Sequence, residues 1–365
     1  VLQPEDGGVA EHVLLLARGL TARGWRVEVA SSPTNTIRPA LRRAGIASHA
    51  IPIERRPGAA DLRAARALRA LDRRGRFDLV HAHSSKAGAL ARIALPRRRL
   101  RVLYTAHGFA FVGRIPRRER LLYRGIEQAL VPATAALVAV SEFELANAAR
   151  VLRGATRRFR LIRNGVPPCA EDEPDPELLR FKEDRPLAGL VSVLRPEKDP
   201  LTAVRAMVLL ARRGSVPGRL AVVGNGWLEN DVRAEIARLG VGEHVRWFPF
   251  RGAMASYLRA LDLLVLPSLW ESLPLGPIEA MTCSVPVLAT PVGGVPEIVE
   301  QGVTGRFFEP GDPDALARNL EEMLGDAGLL KQMGDAGRAE AASRFCLDRM
   351  VDETERVYEE VLWRD

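Results

Sequence analysis

The sequence predicts an α/β protein made of two doubly wound domains. Three observations carry this. Short apolar or alternating runs recur between helical patterns in both halves of the chain, as a parallel sheet with crossover helices requires. The alternation breaks once, over 167–186, where Pro167, Pro168, Pro174, Pro176 and Pro186 stand among acids, the composition of an inter-domain linker. The length of 365 residues suffices for two separate hydrophobic cores. The expected divisions are a first domain over 1–168, a linker over 169–186, a second domain over 187–345 and a terminal helix over 346–365.

The first half opens with residues 1–3, read as the tail of a strand. Pro4-Glu5-Asp6-Gly7-Gly8 follows, and then a helix with Val9, Val13, Leu16 and Leu20 on one side, closed by Gly24. A glycine pair between strand and helix lets backbone approach a ligand closely, although a plain tight turn needs the same residues. Val27-Glu28-Val29 alternates as a strand. Residues 59–76 form an arginine-studded helix with one stripe of Leu62, Ala65, Leu68 and Leu71 and another of Arg63, Arg66, Arg69 and Arg73. Strands ending in polar residues follow at Asp78-Leu79-Val80-His81-Ala82-His83 and Val102-Leu103-Tyr104-Thr105-Ala106-His107-Gly108. His81 and His83 share a face. A metal there would need further ligands at suitable spacing, and none is seen, so no metal is expected. Arg114, Arg117, Arg118, Arg120 and Arg124 come next, interleaved with Ile115, Leu121, Leu122 and Tyr123. A strand over 136–140 ends at Ser141-Glu142, and the half closes with Leu161-Ile162-Arg163-Asn164-Gly165-Val166.

In the second half strands are expected near 187–194, 219–223, 244–248, 261–266 and 285–289, and residues 338–365 are read as helix. Gly224-Asn225-Gly226 lacks the third glycine of a dinucleotide fingerprint. Asp312-Pro313-Asp314 resembles a metal-binding acidic motif, but Asp-Pro before Ala315-Leu316-Ala317 is better read as a helix cap.

Composition bounds the function. Hydrophobic residues make up 47% of the chain and the mean hydropathy is −0.05, as in a soluble globular enzyme. No apolar run approaches the ~20 residues of a membrane-spanning helix, and the start at Val1 carries no charged signal-peptide pattern. Cys169, Cys283 and Cys346 lie far apart without metal-ligand spacing, so a reducing, cytoplasmic setting with no structural disulfide is expected. Charge is uneven. Residues 1–168 hold 31 Lys and Arg against 12 Asp and Glu, a net +19, whereas 169–365 carry a net −11. The first half is therefore expected to face an anionic surface, nucleic acid or membrane lipid.

The chemistry is expected at strand ends, where ligands of open α/β sheets bind. Two acids, Glu271 and Glu279, flank a strand-to-helix transition, with the helix beginning near Pro277. Free backbone N–H groups and the helix dipole favour an anion there. Eight residues of helix would part the two acids by roughly 12 Å, too far for the ~5 Å pair of a retaining glycosidase. Two separate binding roles follow; the plainer alternative is a capping acid and a solvated helix acid. Lys198 stands out because lysine occurs only at 86, 182, 198 and 331 in a chain that otherwise uses arginine. A compact ammonium in Arg195-Pro196-Glu197-Lys198 suits a phosphate; a surface lysine before a helix is the alternative.

In order and spacing these segments resemble the family-four retaining glycosyltransferases of the GT-B fold over nearly the whole chain. They are Gly7-Gly8 before a helix, the 83–88 stretch, Thr105-Ala106-His107-Gly108-Phe109 and Asn164-Gly165-Val166. In the second half they are Arg195-Pro196-Glu197-Lys198, Gly224-Asn225-Gly226, Glu271 with Glu279-Ala280-Met281, and Gly293-Gly294-Val295-Pro296-Glu297.

The resemblance implies two Rossmann-like domains facing a central cleft, with the C-terminal helix crossing back to the first. It implies that Lys198 holds the donor diphosphate and that Arg195, Gly224 and Leu275 lie in the donor site. Glu279 would accept from the ribose hydroxyls, and Glu271 would sit by the donor sugar. His107 would lie at the reacting centre, and Gly7 and Gly8 would bring N–H groups to the phosphate. Catalytic roles thus fall to His107 and Glu271. A nucleotide diphosphate leaves readily and needs its developing charge stabilised more than it needs an acid, so no metal and no cofactor beyond the nucleotide sugar, with UDP as carrier, are expected. The sequence departs from the family pattern at Val193, where arginine is usual, and at Pro249, Ser272, Pro274 and Ser284, where glycine is usual. The 83–88 and 107–111 segments resemble bacterial cell-surface polysaccharide enzymes, whose acceptors are often polyprenyl-diphosphate-linked sugars. The expected partners are therefore a nucleotide sugar, a glycan or lipid-linked acceptor and the anionic inner face of the cell membrane, to which the basic half would bind peripherally. Rival readings are a sugar-nucleotide epimerase and a non-catalytic sugar-nucleotide sensor. A nucleic-acid binder explains the basic half but not Glu271, Glu279 and Lys198 together.

Overall fold

Strands apolar on both faces can be buried only in a sheet with helices on each side, and this decides the architecture. The computed structural model describes residues 1–3, 5–54, 58–95, 101–113 and 115–363. The chain divides into two units, one of Val1–Gly165 with Leu347–Asp365 and one of Val166–Cys346.

The first unit runs α1 (Gly8–Ala22), β1 (Glu28–Ser31), α2 (Arg38–Arg43), β2 (Ala47–Ala50), α3 (Ala60–Gly75), β3 (Leu79–His83), α4 (Ser85–Ala94), β4 (Arg101–Thr105), α5 (Arg117–Leu130), β5 (Ala136–Ala139), α6 (Glu142–Val151) and β6 (Phe159–Leu161). β1 and β2 pair in parallel, and β3-β4-β5-β6 form a parallel sheet. Residues 1–3 join them: Leu2 N donates to Ala30 O at 2.9 Å and His83 N donates to Val1 O at 2.8 Å. The strand order therefore reverses between residues 1–3 and β3. An apolar cavity of about 370 Å³ lies between β1 and β3, lined among others by Leu20, Trp25, Leu68, Leu71, Phe77 and Tyr358.

The second unit runs α7 (Pro176–Lys182), β7 (Leu187–Val191), α8 (Pro200–Arg213), β8 (Arg219–Val223), α9 (Glu229–Leu239), β9 (Val245–Phe248), α10 (Met254–Leu258), β10 (Leu263–Leu266), α11 (Leu275–Thr282), β11 (Val287–Ala289), β12 (Gly305–Phe307), α12 (Pro313–Leu324) and α13 (Ala327–Arg344). Its parallel sheet has the order β12-β11-β10-β7-β8-β9, reversing between β7 and β10. Every residue of β7, β8 and β10 is buried. Ala188, Leu190, Val222 and Val265 meet Val204, Met207, Leu316 and Leu320 from the flanking helices in one core. Asp312 caps α12 by accepting from Ala315 N at 2.9 Å, which accounts for the Asp-Pro-Asp motif.

The last helix, α14 (Leu347–Leu362), belongs to the first unit. Met350, Val351, Thr354, Val357, Tyr358 and Val361 form its buried stripe, and most of them share a core with Leu16 and Leu20 of α1. A Cβ on Gly19 would come within 2.5 Å of Val351 Cγ2, so glycine permits this close approach.

Several expectations change. Residues 169–186 are not a linker: they contain α7 and belong to the second unit, because Leu178 and Phe181 are buried. The supposed helix over 338–365 is two helices, broken at Phe345 and Cys346. The buried stripe of α3 is Ala60, Ala64, Leu68 and Asp72, which leaves Leu62 65% exposed. β2 and β12 have no strong apolar pattern and were not anticipated. The expected absence of a structural disulfide fails too. Cys169 and Cys283, 114 residues apart, are bonded, with their Cα atoms 5.0 Å apart. Separation along the chain does not measure separation in the fold.

Candidate functional site

At the reversal of strand order in the second unit, β7 runs into residues 192–199 and β10 into residues 267–274. Each loop delivers one member of an ion pair. Lys198 Nζ donates to Glu271 Oε1 at 2.5 Å, with the two side chains 23% and 8% exposed. Ser268 Oγ donates to the same oxygen at 2.7 Å, and Leu269 N donates to Glu197 O at 2.8 Å, tying the loops together. Glycines set the neighbouring turns. A Cβ on Gly224 would lie 1.9 Å from Ser192 O, and one on Gly293 would lie 1.8 Å from Glu271 O. No other residue allows these backbones to approach so closely. Gly294 N donates to Ser272 O at 2.8 Å.

α11 begins at Leu275, slightly before the expected Pro277, and no side chain caps its N-terminus. The Leu275 and Gly276 N–H groups thus have no side-chain cap and suit an anion, while Pro277 offers no N–H. Glu279 is half-buried one turn further on, about 6 Å along the axis from Leu275. Cys283, at the other end of α11, carries the bond to Cys169. The Arg195 guanidinium lies 5.9 Å from the Trp227 ring centroid, and that indole is 64% exposed. Ser284, at a position where the family usually has glycine, adopts φ 59°, the left-handed conformation that glycine favours.

In the first unit the reversal of strand order gathers histidines. Gly7, with φ 79°, is the N-cap of α1. Gly8 opens that helix, and His12 follows on it. β3 ends at His83, and the turn after β4 holds His107 at φ 52°. His83 Nδ1 lies 3.1 Å from His107 Nε2. The His12 ring packs edge-on to His107, with centroids 4.5 Å apart. His81 is held on both nitrogens, by Tyr358 Oη and Thr105 Oγ1, each at 2.7 Å. Burial lowers all four imidazoles, His12 to about 4 and the others well below the usual value, so they are neutral near pH 7.

Glu144 holds the His107 turn: its carboxylate accepts from Gly108 N at 2.6 Å and Val140 N at 2.8 Å. Desolvation raises it to about 7 despite these two donors. Sequence reasoning singled out neither His12 nor Glu144. Glu144 had a local signal, because Ser141-x-x-Glu144 has the sequence form of a capping box, although its carboxylate accepts from Val140 N and Gly108 N instead of Ser141 N. His12 had only its place in the helix after Gly7-Gly8. His12 and His107 come beside His83 only through the fold.

Two family models match, one in each half. That described as Glycosyltransferase Family 4 covers residues 6–168, and that described as Glycosyl transferases group 1 covers 171–340. EpsD of Bacillus subtilis (strain 168) is 29% identical over 347 residues, 92% of this chain and 89% of the relative. The UDP-Gal:alpha-D-GlcNAc-diphosphoundecaprenol alpha-1,3-galactosyltransferase of Escherichia coli is 26% identical over 307 residues, 82% and 79% of the two chains. Among solved structures, Anabaena Alr3699/HepE in complex with UDP and glucose superposes with a TM-score of 0.83 at 19% identity, over 98% of both chains. Two Rossmann-like sheets with these loops at their switch points define a glycosyltransferase of the GT-B fold. The chain belongs to the family-four, group 1 glycosyltransferases.

Proposed function

We propose that the protein is a retaining glycosyltransferase. It moves a hexosyl or N-acetylhexosaminyl group from a UDP-linked sugar to a glycan or polyprenyl-diphosphate-linked acceptor in cell-surface polysaccharide synthesis. The observation that carries this reading is the Lys198–Glu271 pair on the two loops that flank the switch point of the second sheet. In this reading Lys198 and the open amides of α11 stabilise the charge that develops on the leaving diphosphate. The Gly224 loop and Arg195 enclose the nucleotide, and Glu279 accepts from the ribose hydroxyls. Glu271 and His107 act on the transferred sugar, and Gly7 and Gly8 present backbone N–H groups to phosphate. The reading invokes no metal for the transfer step. The printed names of the relatives support the substrates: one moves galactose from UDP to a diphosphoundecaprenol-linked sugar, and HepE was solved with UDP and glucose.

The acceptor side of the proposal includes the cytoplasmic face of the membrane. Among the described residues no helix is long and apolar enough to cross a membrane. α3 and α5 both pack on α4. Arg63, Arg66, Arg69 and Arg73 on α3 and Arg117, Arg118, Arg120 and Arg124 on α5 are all exposed; Arg114 lies outside the described residues. Leu121 and Leu122 of α5 are 56% and 59% exposed. Basic side chains around exposed leucines on a helix suit an anionic leaflet.

The test begins with a thermal-shift screen across sugar nucleotides. A ligand at 100 times its Kd stabilises by ~2.7 kcal/mol, and a UDP sugar is expected to give the largest shift. Incubation with lipid-linked acceptors then follows, with the anomeric configuration of the product read by NMR. Inversion at the anomeric carbon would refute the retaining reading, and epimerised donor without acceptor would identify an epimerase. Tight binding without turnover on any acceptor would favour the sensor, for which Val193 in place of the usual arginine is the motive.

A further inference from the structure

We propose that His12, His83 and His107 form a binding site for one borderline divalent cation of the zinc class. The three side chains each offer a ring nitrogen, and these atoms all lie within 4.8 Å of one another. Two already stand at a ligand–ligand distance. On a tetrahedral ion with Zn–N bonds of ~2.0–2.1 Å, neighbouring nitrogens are roughly 3.3 Å apart, and His83 Nδ1 and His107 Nε2 are separated by 3.1 Å. The third, from His12, lies within 4.8 Å of both. His12 Nδ1 is buried without a hydrogen-bond partner, while Asn164 hydrogen-bonds the same side chain. An Asn164 amide orientation in which Oδ1 accepts from His12 Nε2–H leaves Nδ1 its lone pair, the usual form of a metal-bound histidine.

The chemistry selects the ion. Three imidazoles suit zinc and its neighbours rather than magnesium or calcium, which take oxygen ligands. His81, though adjacent, is not a ligand, because both its nitrogens are engaged. Binding requires neither proton release from a cationic imidazole nor a new ligand from outside the first unit. The ring that donates between His83 and His107 shifts its proton to its own other nitrogen, both rings stay neutral, and the metal takes the proton's place. Three protein ligands leave a fourth position for water.

His12, His83 and His107 belong to the first unit; His107 is shared with the proposed function, but the test uses neither nucleotide nor turnover, so its failure leaves that function untouched. The full chain, stripped by chelator and desalted, is titrated with Co²⁺ by visible absorption and then with competing Zn²⁺. One equivalent with the intense bands of a tetrahedral cobalt site is expected, weakened tenfold or more in His12→Asn and in His83→Asn. Affinity unchanged in both variants would overturn the site. Should either variant fail to fold, zinc-edge X-ray absorption on the wild-type chain decides. Three imidazole ligands support the proposal. A sulfur ligand, or a shell with fewer than two imidazoles, overturns it.

Discussion

Replacing Lys198 by alanine tests the donor site most directly, because the structure pairs that lysine with Glu271 and the proposed function pairs it with the diphosphate. Its ammonium sits 2.5 Å from Glu271 Oε1 and, in the proposed function, also meets the diphosphate. Lys198→Ala removes a charge-assisted hydrogen bond worth ~1.5–3 kcal/mol, which is about 10- to 150-fold in Kd at 1.4 kcal/mol per decade. In the proposed function it also leaves the Glu271 side chain, 8% exposed, facing the phosphates without its cation. Two like charges ~4 Å apart repel by up to ~4 kcal/mol at an effective dielectric constant of 20. The loss is therefore expected near the upper end, about 100-fold. Adding Glu271→Gln removes the repulsion, so the double variant should regain about tenfold. A coupling of this size is normal for residues in contact. The assay is calorimetric titration of UDP and GDP into wild type, both single variants and the double variant at one ionic strength. In turnover, Glu271→Gln should lower kcat with little change in UDP affinity, and Glu279→Gln should raise KM. Unchanged nucleotide affinity in Lys198→Ala would remove Lys198 from the site, and strictly additive losses would show that the pair does not act as one unit.

Three further outcomes are expected. Changing Arg63, Arg66, Arg117 and Arg118 to serine should abolish co-sedimentation with anionic vesicles, and salt should weaken wild-type binding, since attraction is screened over ~8 Å at physiological ionic strength; binding that ignores lipid charge would point to a soluble acceptor. Reducing Cys169–Cys283, which spans 114 residues, should destabilise the second unit by up to ~4–5 kcal/mol on the chain-entropy argument; denaturant midpoints with and without reductant measure it, and Cys283→Ser should not respond to reductant. Glu144 rises from 4.5 to about 7 on folding, so the native state holds a proton that the unfolded chain releases. Its contribution is present below pH 4.5 and is lost as pH rises through about 7, on the order of 3 kcal/mol at 1.36 kcal/mol per pKa unit. With chelator present, the stability difference between wild type and Glu144→Gln should therefore change across pH 4.5–8, and a constant difference would refute the assignment.

Local pattern alone determined the fold class and most of the strands. A residue's tendency to lie in a buried parallel strand depends on its near neighbours, and β8 appears over the 219–223 span expected from its apolar run. The order of motifs likewise determined the family, and the rarity of lysine drew attention to Lys198. Only the tertiary structure decided what each of these residues touches. Lys198 and Glu271 are 73 residues apart, and they meet because the strands that carry them are neighbours at a switch point. Cys169 likewise joins Cys283 from 114 residues away, and His12 and His107 lie beside His83, through tertiary contacts alone. α7 could not be told from linker, because its few apolar residues are ordered by the core they enter and not by their own periodicity. Short-range physics writes periodicity into a sequence; contacts between distant segments arise only when the sheet order brings strand ends together, and no local spacing records that order.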